Sequence, residues 1–101
     1  MINIEVDNRG SSRQVHITGH AMTAPHGEDL VCAAVSGLVQ GVAFYLQKKK
    51  NTAIIEPGNV LVFVPWSDND GLAALEAMIT GLKQMETQWP EIIRYKELGV
   101  L

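Results

Sequence analysis

The chain is 101 residues long, with 47% hydrophobic residues, 19% charged residues and a formal net charge of −3. This balance is typical of one globular domain spanning residues 1–101, and it excludes an intrinsically disordered chain. A single cysteine excludes an intramolecular disulfide framework and a multi-cysteine zinc ribbon, and it fits a reducing, cytoplasmic environment.

A strand hairpin is predicted at the start of the chain. Ile2, Ile4 and Val6 alternate with polar residues, which is the period-2 pattern of a half-buried strand. The sequence DNRGSS then predicts a turn, after which the alternation resumes with Val15 and Ile17 on the inner face. The opening MINIEVD lacks the basic and long apolar regions of a signal peptide, so none is predicted.

A long helix is predicted next, over residues 29–50. Its sequence, DLVCAAVSGLVQGVAFYLQKKK, is too long for a strand and apolar on most faces, which predicts a largely buried central helix. Gly37 and Gly41 each cost a helix roughly 1 kcal/mol relative to alanine, so we expect a sheet or a second helix to approach them closely. No uninterrupted apolar stretch reaches the ~18 residues of a membrane span, so no membrane contact is expected.

Three lysines, Lys48, Lys49 and Lys50, end this predicted helix. Cations in this position complement the helix dipole and bond to the terminal carbonyl groups. No other basic residues gather with them in the sequence, so no direct contact with nucleic acid is predicted.

The second half of the chain repeats the order of two strands and a helix. Two β-rich runs, residues 53–56 and 60–66, flank the turn sequence EPGN and predict a second hairpin. SDND then offers N-caps for a helix that stops before Pro90, and EIIRYKEL alternates weakly as a last strand. The second helix carries an apolar stripe of Leu72, Leu75, Ile79, Leu82 and Met85.

The predicted order, ββαββαβ, indicates an α+β domain in which two helices pack on one face of a mostly antiparallel sheet. Such a fold leaves a sheet face or a strand edge to be covered. Self-association into a homodimer is one way to cover it.

The residues that could carry chemistry gather in GHAMTAPHGEDLVCAAVS, residues 19–36. His20 follows Gly19 at the predicted end of the second strand, where glycine lets the backbone turn or approach another group closely. If Asp29 is the helix N-cap, Cys32 lies in the first helical turn, where unpaired N–H groups and the helix dipole favour a thiolate. Cys32 and His20 could therefore form a nucleophile–base pair. Because cysteine is among the most buried residue types, a packed structural Cys32 is the alternative.

The other two histidines, His16 and His26, are further candidates for a functional role, including metal binding. His16 is predicted on the solvent-facing side of its strand, about 13 Å from His20 and too far to share a metal ion with it. His26 is predicted to be an exposed loop residue. A metal site made of His20, His26, Asp29 and Cys32 matches no zinc-ligand spacing, so neither a metal nor another cofactor is expected.

The same segment resembles the signature of a known family. GHA (residues 19–21), followed after a short loop by GEDLVCAAVS (residues 27–36), closely resembles the motif of the ribosomal-processing cysteine protease family, Prp. Chain length and element order agree as well, so the resemblance covers essentially the whole chain. Family members often carry an aromatic residue within the segment that reads MTAPH here, and this chain has none there.

The resemblance implies a bacterial, cytoplasmic endopeptidase that is usually a homodimer. Its implied substrate is large-ribosomal-subunit protein number twenty-seven, from which it removes a short N-terminal extension by cutting after a phenylalanine. By position, Cys32 is the implied nucleophile and His20 the general base and acid. Gly19, Asp29 and Ser36 match the motif as supporting residues. The loop between the catalytic pair is the candidate substrate clamp and consists of Ala21, Met22, Thr23, Ala24, Pro25, His26, Gly27 and Glu28.

Two other classes of function remain as alternatives. A non-catalytic ribosome-assembly binding module would keep Cys32 as a buried structural residue, with a thiol inert to iodoacetamide. A metalloprotein would lose activity when a chelator is added.

Overall fold

The computed structural model describes residues 1–19 and 28–100. Within these two ranges the elements in chain order are β1 (Ile2–Asp7), β2 (Ser12–Thr18), α1 (Glu28–Lys48), β3 (Thr52–Glu56), β4 (Asn59–Pro65), α2 (Asn69–Gln88) and β5 (Ile93–Leu98). The predicted order ββαββαβ is confirmed, with small differences at the element ends.

The five strands of the described residues form one mixed sheet in the order β3-β4-β2-β1-β5. Antiparallel pairing joins β1 to β2, β2 to β4, and β4 to β3. The pair β1–β5 is parallel, because α2 carries the chain back across the sheet before β5 begins. The prediction of a mostly antiparallel sheet is therefore confirmed.

One face of the sheet carries the hydrophobic core. The register pairs Ile4 with Ile17 and Val15 with Val62, so inward-facing side chains stack in rows across the strands. α1 packs over β3 and β4, and α2 packs over β4 and β5. Because side chains alternate between the two faces of the sheet, the apolar ones gather on one face, which α1 and α2 cover. No described element covers the other face.

α1 is less buried than its sequence predicts, because only one side of the helix packs against the sheet. Among residues Leu30–Lys48 only 28% are buried. The core-facing members are Val31, Val35, Val39, Ala43 and Leu46. The prediction of a largely buried helix is wrong, and the outer side exposes the apolar residues Leu30, Phe44 and Tyr45.

The expected close approach at the helical glycines is also not found within the described chain. A Cβ placed on Gly37 or Gly41 would meet no described atom within 4 Å. The close contact between the helices is instead at Gly81 of α2, where a Cβ would lie 2.9 Å from Cδ2 of Leu38. Gly37 and Gly41 therefore contribute small, exposed positions to α1 rather than a helix contact.

By length and composition alone, the segment Leu30–Lys48 of α1 is apolar enough to cross a membrane. The segment was not predicted as a membrane span, because Ser36, Gly37 and Gln40 interrupt its run of apolar residues. The core helix of a soluble protein has the same length and composition. α1 packs its inner side against the sheet as such a helix does.

Asp68 joins the end of α1 to the start of α2. Its carboxylate accepts hydrogen bonds from the N–H of Gly71 at 3.0 Å, from Lys49 Nζ at 2.8 Å and from Asn51 Nδ2 at 3.0 Å. The predicted N-cap within SDND is thus confirmed as Asp68. The bond from the Lys49 ammonium is the main cause that lowers the pKa of Asp68 from 3.8 to about 2, with further contributions from Gly71 and Asn51.

Candidate active site

Cys32 lies on the side of α1 that packs against the sheet, close to the start of the helix. It is half-buried and contacts the edge of the hydrophobic core. The helix begins at Glu28, one residue before the predicted N-cap at Asp29, so Cys32 is the fifth helical residue and lies at the start of the second turn rather than in the predicted first turn. Because Cα–Cβ bonds tilt towards a helix N-terminus, its side chain leans back over the first turn.

Gly19 directly follows β2 and contacts two other segments of the chain. Its N–H donates a hydrogen bond to the carbonyl oxygen of Gly58 at 3.0 Å, which ties it to the turn between β3 and β4. Its φ of +88° lies in the left-handed region, and a Cβ there would overlap the carbonyl oxygen of Met1. Gly19 therefore has both properties considered for it from the sequence, a turn of the backbone and a close approach to another group.

A cavity of about 410 Å³ lies beside Cys32. It is bounded by the first half of α1, the end of β2, the start of β1 and the β3–β4 hairpin. Gly19, Cys32 and Ser36 all lie on its wall. Its apolar side chains are Ile2, Ile17, Val35, Val39, Ile55, Pro57 and Val60.

The polar residues at the hairpin end of this cavity bond to each other on the opposite face of the sheet. Asn59 Nδ2 donates to Glu56 Oε1 at 3.2 Å, and Asn59 Oδ1 lies 2.7 Å from His16 Nε2. His16 alternates with the inward-facing Val15 and Ile17, as predicted, but it is half-buried and hydrogen-bonded rather than fully solvated. His16 is therefore separated from Cys32 by the sheet.

The remaining candidate residues are not placed by this structure. His20 and the loop residues 21–27 lie outside the described residues, and the side chains of Glu28 and Asp29 are likewise not described. The pairing of Cys32 with His20, the supporting role of Asp29 and the substrate-clamp role of the loop therefore stay predictions. Of the supporting residues, the structure brings Gly19 and Ser36 to the cavity of Cys32.

The described part of the chain offers no set of ligands that would support the alternative of a metalloprotein. Residues 1–19 and 28–100 contain no group of three or more His, Cys, Asp and Glu side chains arranged to hold a metal ion. His20 and His26, two of the four ligands considered, lie outside these ranges.

The β3–β4 hairpin is the part of the cavity that the sequence did not indicate. Pro57 and Gly58 form a two-residue turn in which Gly58 has a φ of +70°. The turn itself is visible in EPGN, yet its place beside Cys32 depends on the pairing of β4 with β2. In the sequence, the apolar residues Ile55 and Val60 on either side of the turn are the feature that could have indicated a place for the hairpin in an apolar cavity wall.

Comparison with solved structures shows the shared fold. The Prp protease from S. aureus with a covalently linked product peptide is 24% identical, with a TM-score of 0.75, covering 96% of this chain and 99% of that chain. The same protease with a substrate peptide is 22% identical, with a TM-score of 0.80 and the same coverage. SMU.848 from Streptococcus mutans is 26% identical, with a TM-score of 0.80, covering 97% of this chain and 94% of that chain.

Sequence comparison assigns the family. No curated protein matches the chain. The family model described as cysteine protease Prp matches residues 1–94, which is nearly the whole chain and includes Gly19, His20 and Cys32. This chain therefore belongs to the Prp cysteine protease family.

Proposed function

We propose that this protein is a cysteine endopeptidase that removes the N-terminal extension of large-ribosomal-subunit protein number twenty-seven, cutting after a phenylalanine. The S. aureus relatives are described as an essential ribosomal processing protease, in complex with a substrate peptide and with a product peptide. These descriptions support a peptide substrate from the ribosome. A cytoplasmic homodimer is part of the same proposal, since a single cysteine is typical of a reducing compartment and the exposed Phe44 and Tyr45 offer an apolar surface for self-association.

The observation that carries the proposal is that Gly19 and Cys32 line one cavity. Gly19 directly precedes His20 in the chain, so a covalent neighbour of the proposed base is anchored beside the proposed nucleophile. The Gly58 hydrogen bond and the contact with Met1 restrict the direction in which the chain leaves β2. A packed structural cysteine would not require this arrangement.

In the proposed reaction, the Cys32 thiolate attacks the carbonyl carbon of the scissile bond and forms a tetrahedral intermediate. His20 then protonates the leaving amine, the carbon–nitrogen bond breaks, and an acyl-enzyme thioester remains. A water molecule gives a proton to His20 as it attacks the thioester. Release of the carboxylic acid product regenerates Cys32.

Backbone N–H groups at the start of α1 are the proposed donors to the oxyanion. The N–H groups of the first three helical residues, here residues 28–30, have no acceptor within the helix. The side chain of Cys32 leans towards this turn, which brings the attacked carbonyl group near those donors. Because the donors belong to the backbone, they need no additional side chain.

Mass spectrometry of the extended ribosomal protein tests the proposal. Wild-type protein should remove the extension, whereas Cys32→Ala should bind a peptide spanning the cut site and leave it intact. Ala33→Ser is the matched control, because Ala33 is an exposed neighbour in the same helical turn. Trimming by Cys32→Ala at the wild-type rate would make Cys32 a packing residue and leave the binding-module alternative standing.

A further inference from the structure

We propose that α1 binds the main chain of the substrate through a polar row of three side chains, Cys32, Ser36 and Gln40, and that Gln40 bonds to the fourth residue before the scissile bond. This inference rests on the proposed function, since it assumes that Cys32 attacks a peptide bond. It adds Gln40 as a substrate-binding residue, and it gives the direction in which the peptide lies on the protein.

The polar row lies along one side of the cavity. Cys32, Ser36 and Gln40 all line the cavity, and they follow each other at intervals of four residues in α1. Residues at this interval are neighbours on the surface of a helix. Cys32 is half-buried, whereas Ser36 and Gln40 are exposed, so the row passes from the edge of the core towards solvent. An extended peptide can therefore reach the row without any movement of the core.

The spacing of the polar row matches that of an extended peptide. Residues four apart in a helix are separated by roughly 6 Å along its axis. In an extended chain the hydrogen-bonding groups on one edge recur at every second residue, about 6.6 Å apart. When the carbonyl carbon under attack lies at Cys32, Ser36 is therefore beside the second residue before the scissile bond and Gln40 is beside the fourth.

The side chain of Gln40 suits the edge of a peptide main chain. Its carboxamide has an acceptor oxygen and two N–H donors. The N–H and C=O groups of one residue in an extended chain point to the same edge, so a single carboxamide can bond to both. Among residues 1–19 and 28–100, no hydrogen bond joins Ser36 Oγ or the Gln40 carboxamide to another group. Gln47, further along α1, instead donates to the carbonyl oxygen of Ala53 at 3.5 Å.

The fold gives the direction of the peptide. Gly19 lies at the hairpin end of the cavity, where its N–H bonds to Gly58. β3 follows α1 and returns to the turn at Gly58, so α1 begins near this turn and runs away from it. Gln40 lies roughly 12 Å beyond Cys32 along α1, away from the Gly19 end. Because His20 directly follows Gly19 and is the proposed donor to the leaving amine, the leaving part of the peptide lies at that end. The acyl part lies along the polar row.

Binding on the acyl side has a consequence for the second half of the reaction. The acyl part stays attached to Cys32 as a thioester after the amine has left. Hydrogen bonds from Ser36 and Gln40 to its main chain persist at this stage and hold the thioester carbonyl in place while water attacks. The polar row thus acts on both steps, and it does so without contacting the side chains of the substrate.

The test varies the length and the backbone of the substrate. Peptides with the same leaving part carry three or five residues before the scissile bond, and a third peptide is the five-residue one with an ester oxygen replacing the N–H of the fourth residue. We expect wild-type kcat/KM to be about three- to tenfold higher for the five-residue peptide than for the other two. Gln40→Met should lose the ester effect and most of the length effect, because methionine keeps the size and helix propensity of glutamine without its polar atoms. Gln84→Met, at an exposed position of α2, is the matched control and should keep the wild-type ratios.

Binding to Cys32→Ala separates this inference from the proposed function. The same peptides are titrated against Cys32→Ala with Gln40 intact and with Gln40→Met, after thermal unfolding has shown that both proteins are folded. An ester effect on affinity that requires Gln40 supports the polar row even if the wild-type protein cleaves nothing, which would overturn only the proteolysis. Cleavage with the same length and ester effects in wild type and Gln40→Met would overturn the polar row and leave the protease in place. A length effect confined to residues after the scissile bond, or no binding of any peptide, would also overturn the polar row.

Discussion

Gly19 lies so close to the start of β1 that a Cβ at this position would overlap the carbonyl oxygen of Met1. The Met1 contact and the Gly58 hydrogen bond together hold the residue that precedes the proposed base. Because Gly19 also lines the cavity of Cys32, the same backbone position belongs to the fold and to the proposed active site.

Gly19→Ala should therefore reduce both stability and activity. A left-handed φ costs a non-glycine residue on the order of 1–3 kcal/mol, and the overlap with Met1 adds to that cost. Urea denaturation would measure the free energy of unfolding, and cleavage of a peptide substrate would measure kcat/KM. Gly10→Ala is the control, because a Cβ on Gly10 would meet its nearest described atom, the Ser12 oxygen, at 4.0 Å. Equal stability of the two variants would contradict the role given to Gly19.

His20→Ala should lower kcat/KM by about 10²–10⁴-fold, the usual contribution of a general acid–base group. The matched control is His16→Ala, since His16 lies on the opposite face of the sheet and bonds to Asn59. The pH profile of the wild-type kcat/KM should be a bell whose two limbs report the coupled ionisations of the catalytic pair. Near-normal cleavage by His20→Ala, or an equal loss in His16→Ala, would remove His20 from the mechanism.

A homodimer should appear in light scattering at micromolar concentration as a mass roughly twice the 11.0 kDa of the chain. The outer side of α1 is the surface to test, because Phe44 and Tyr45 are exposed there and no charged residue occurs from Leu30 to Gln47. Phe44→Glu should shift the mass towards that of one chain. Thr80→Glu, which adds the same charge on an exposed position of α2, should not. A wild-type mass of one chain would refute the dimer.

Acid should weaken the fold through Asp68. Its pKa in the folded protein is about 2, below the ordinary value of 3.8, so folding favours the ionised carboxylate. The stability that this carboxylate contributes is complete above about pH 5 and is lost as the pH falls from about 4 towards 2. Asp68→Asn should lower the unfolding midpoint near neutral pH and reduce its fall over that acid range. A variant with the same midpoint and the same acid dependence as wild type would show that the Lys49 and Gly71 bonds contribute nothing to stability.

Local sequence patterns determined the elements of this fold and the chemistry proposed for it. The alternation of Ile2, Ile4 and Val6 marks a strand because successive side chains point to opposite faces of a sheet. Asp68 marks a helix start because its side chain can accept a backbone N–H, and the apolar stripe of α2 follows the helical period. Cys32 and His20 were found because their motif is contiguous apart from one short loop.

Only the tertiary structure decided which side of α1 is buried and what surrounds Cys32. Apolar or small residues occur all around α1, so no polar stripe in the sequence marks its outer side. The pairing of β4 with β2 joins residues far apart in the chain, and it alone brings Ile55 and Val60 to the cavity. Local periodicity specifies the face on which a side chain lies but not which strand becomes its neighbour, because strand order is set by long-range packing of the whole sheet.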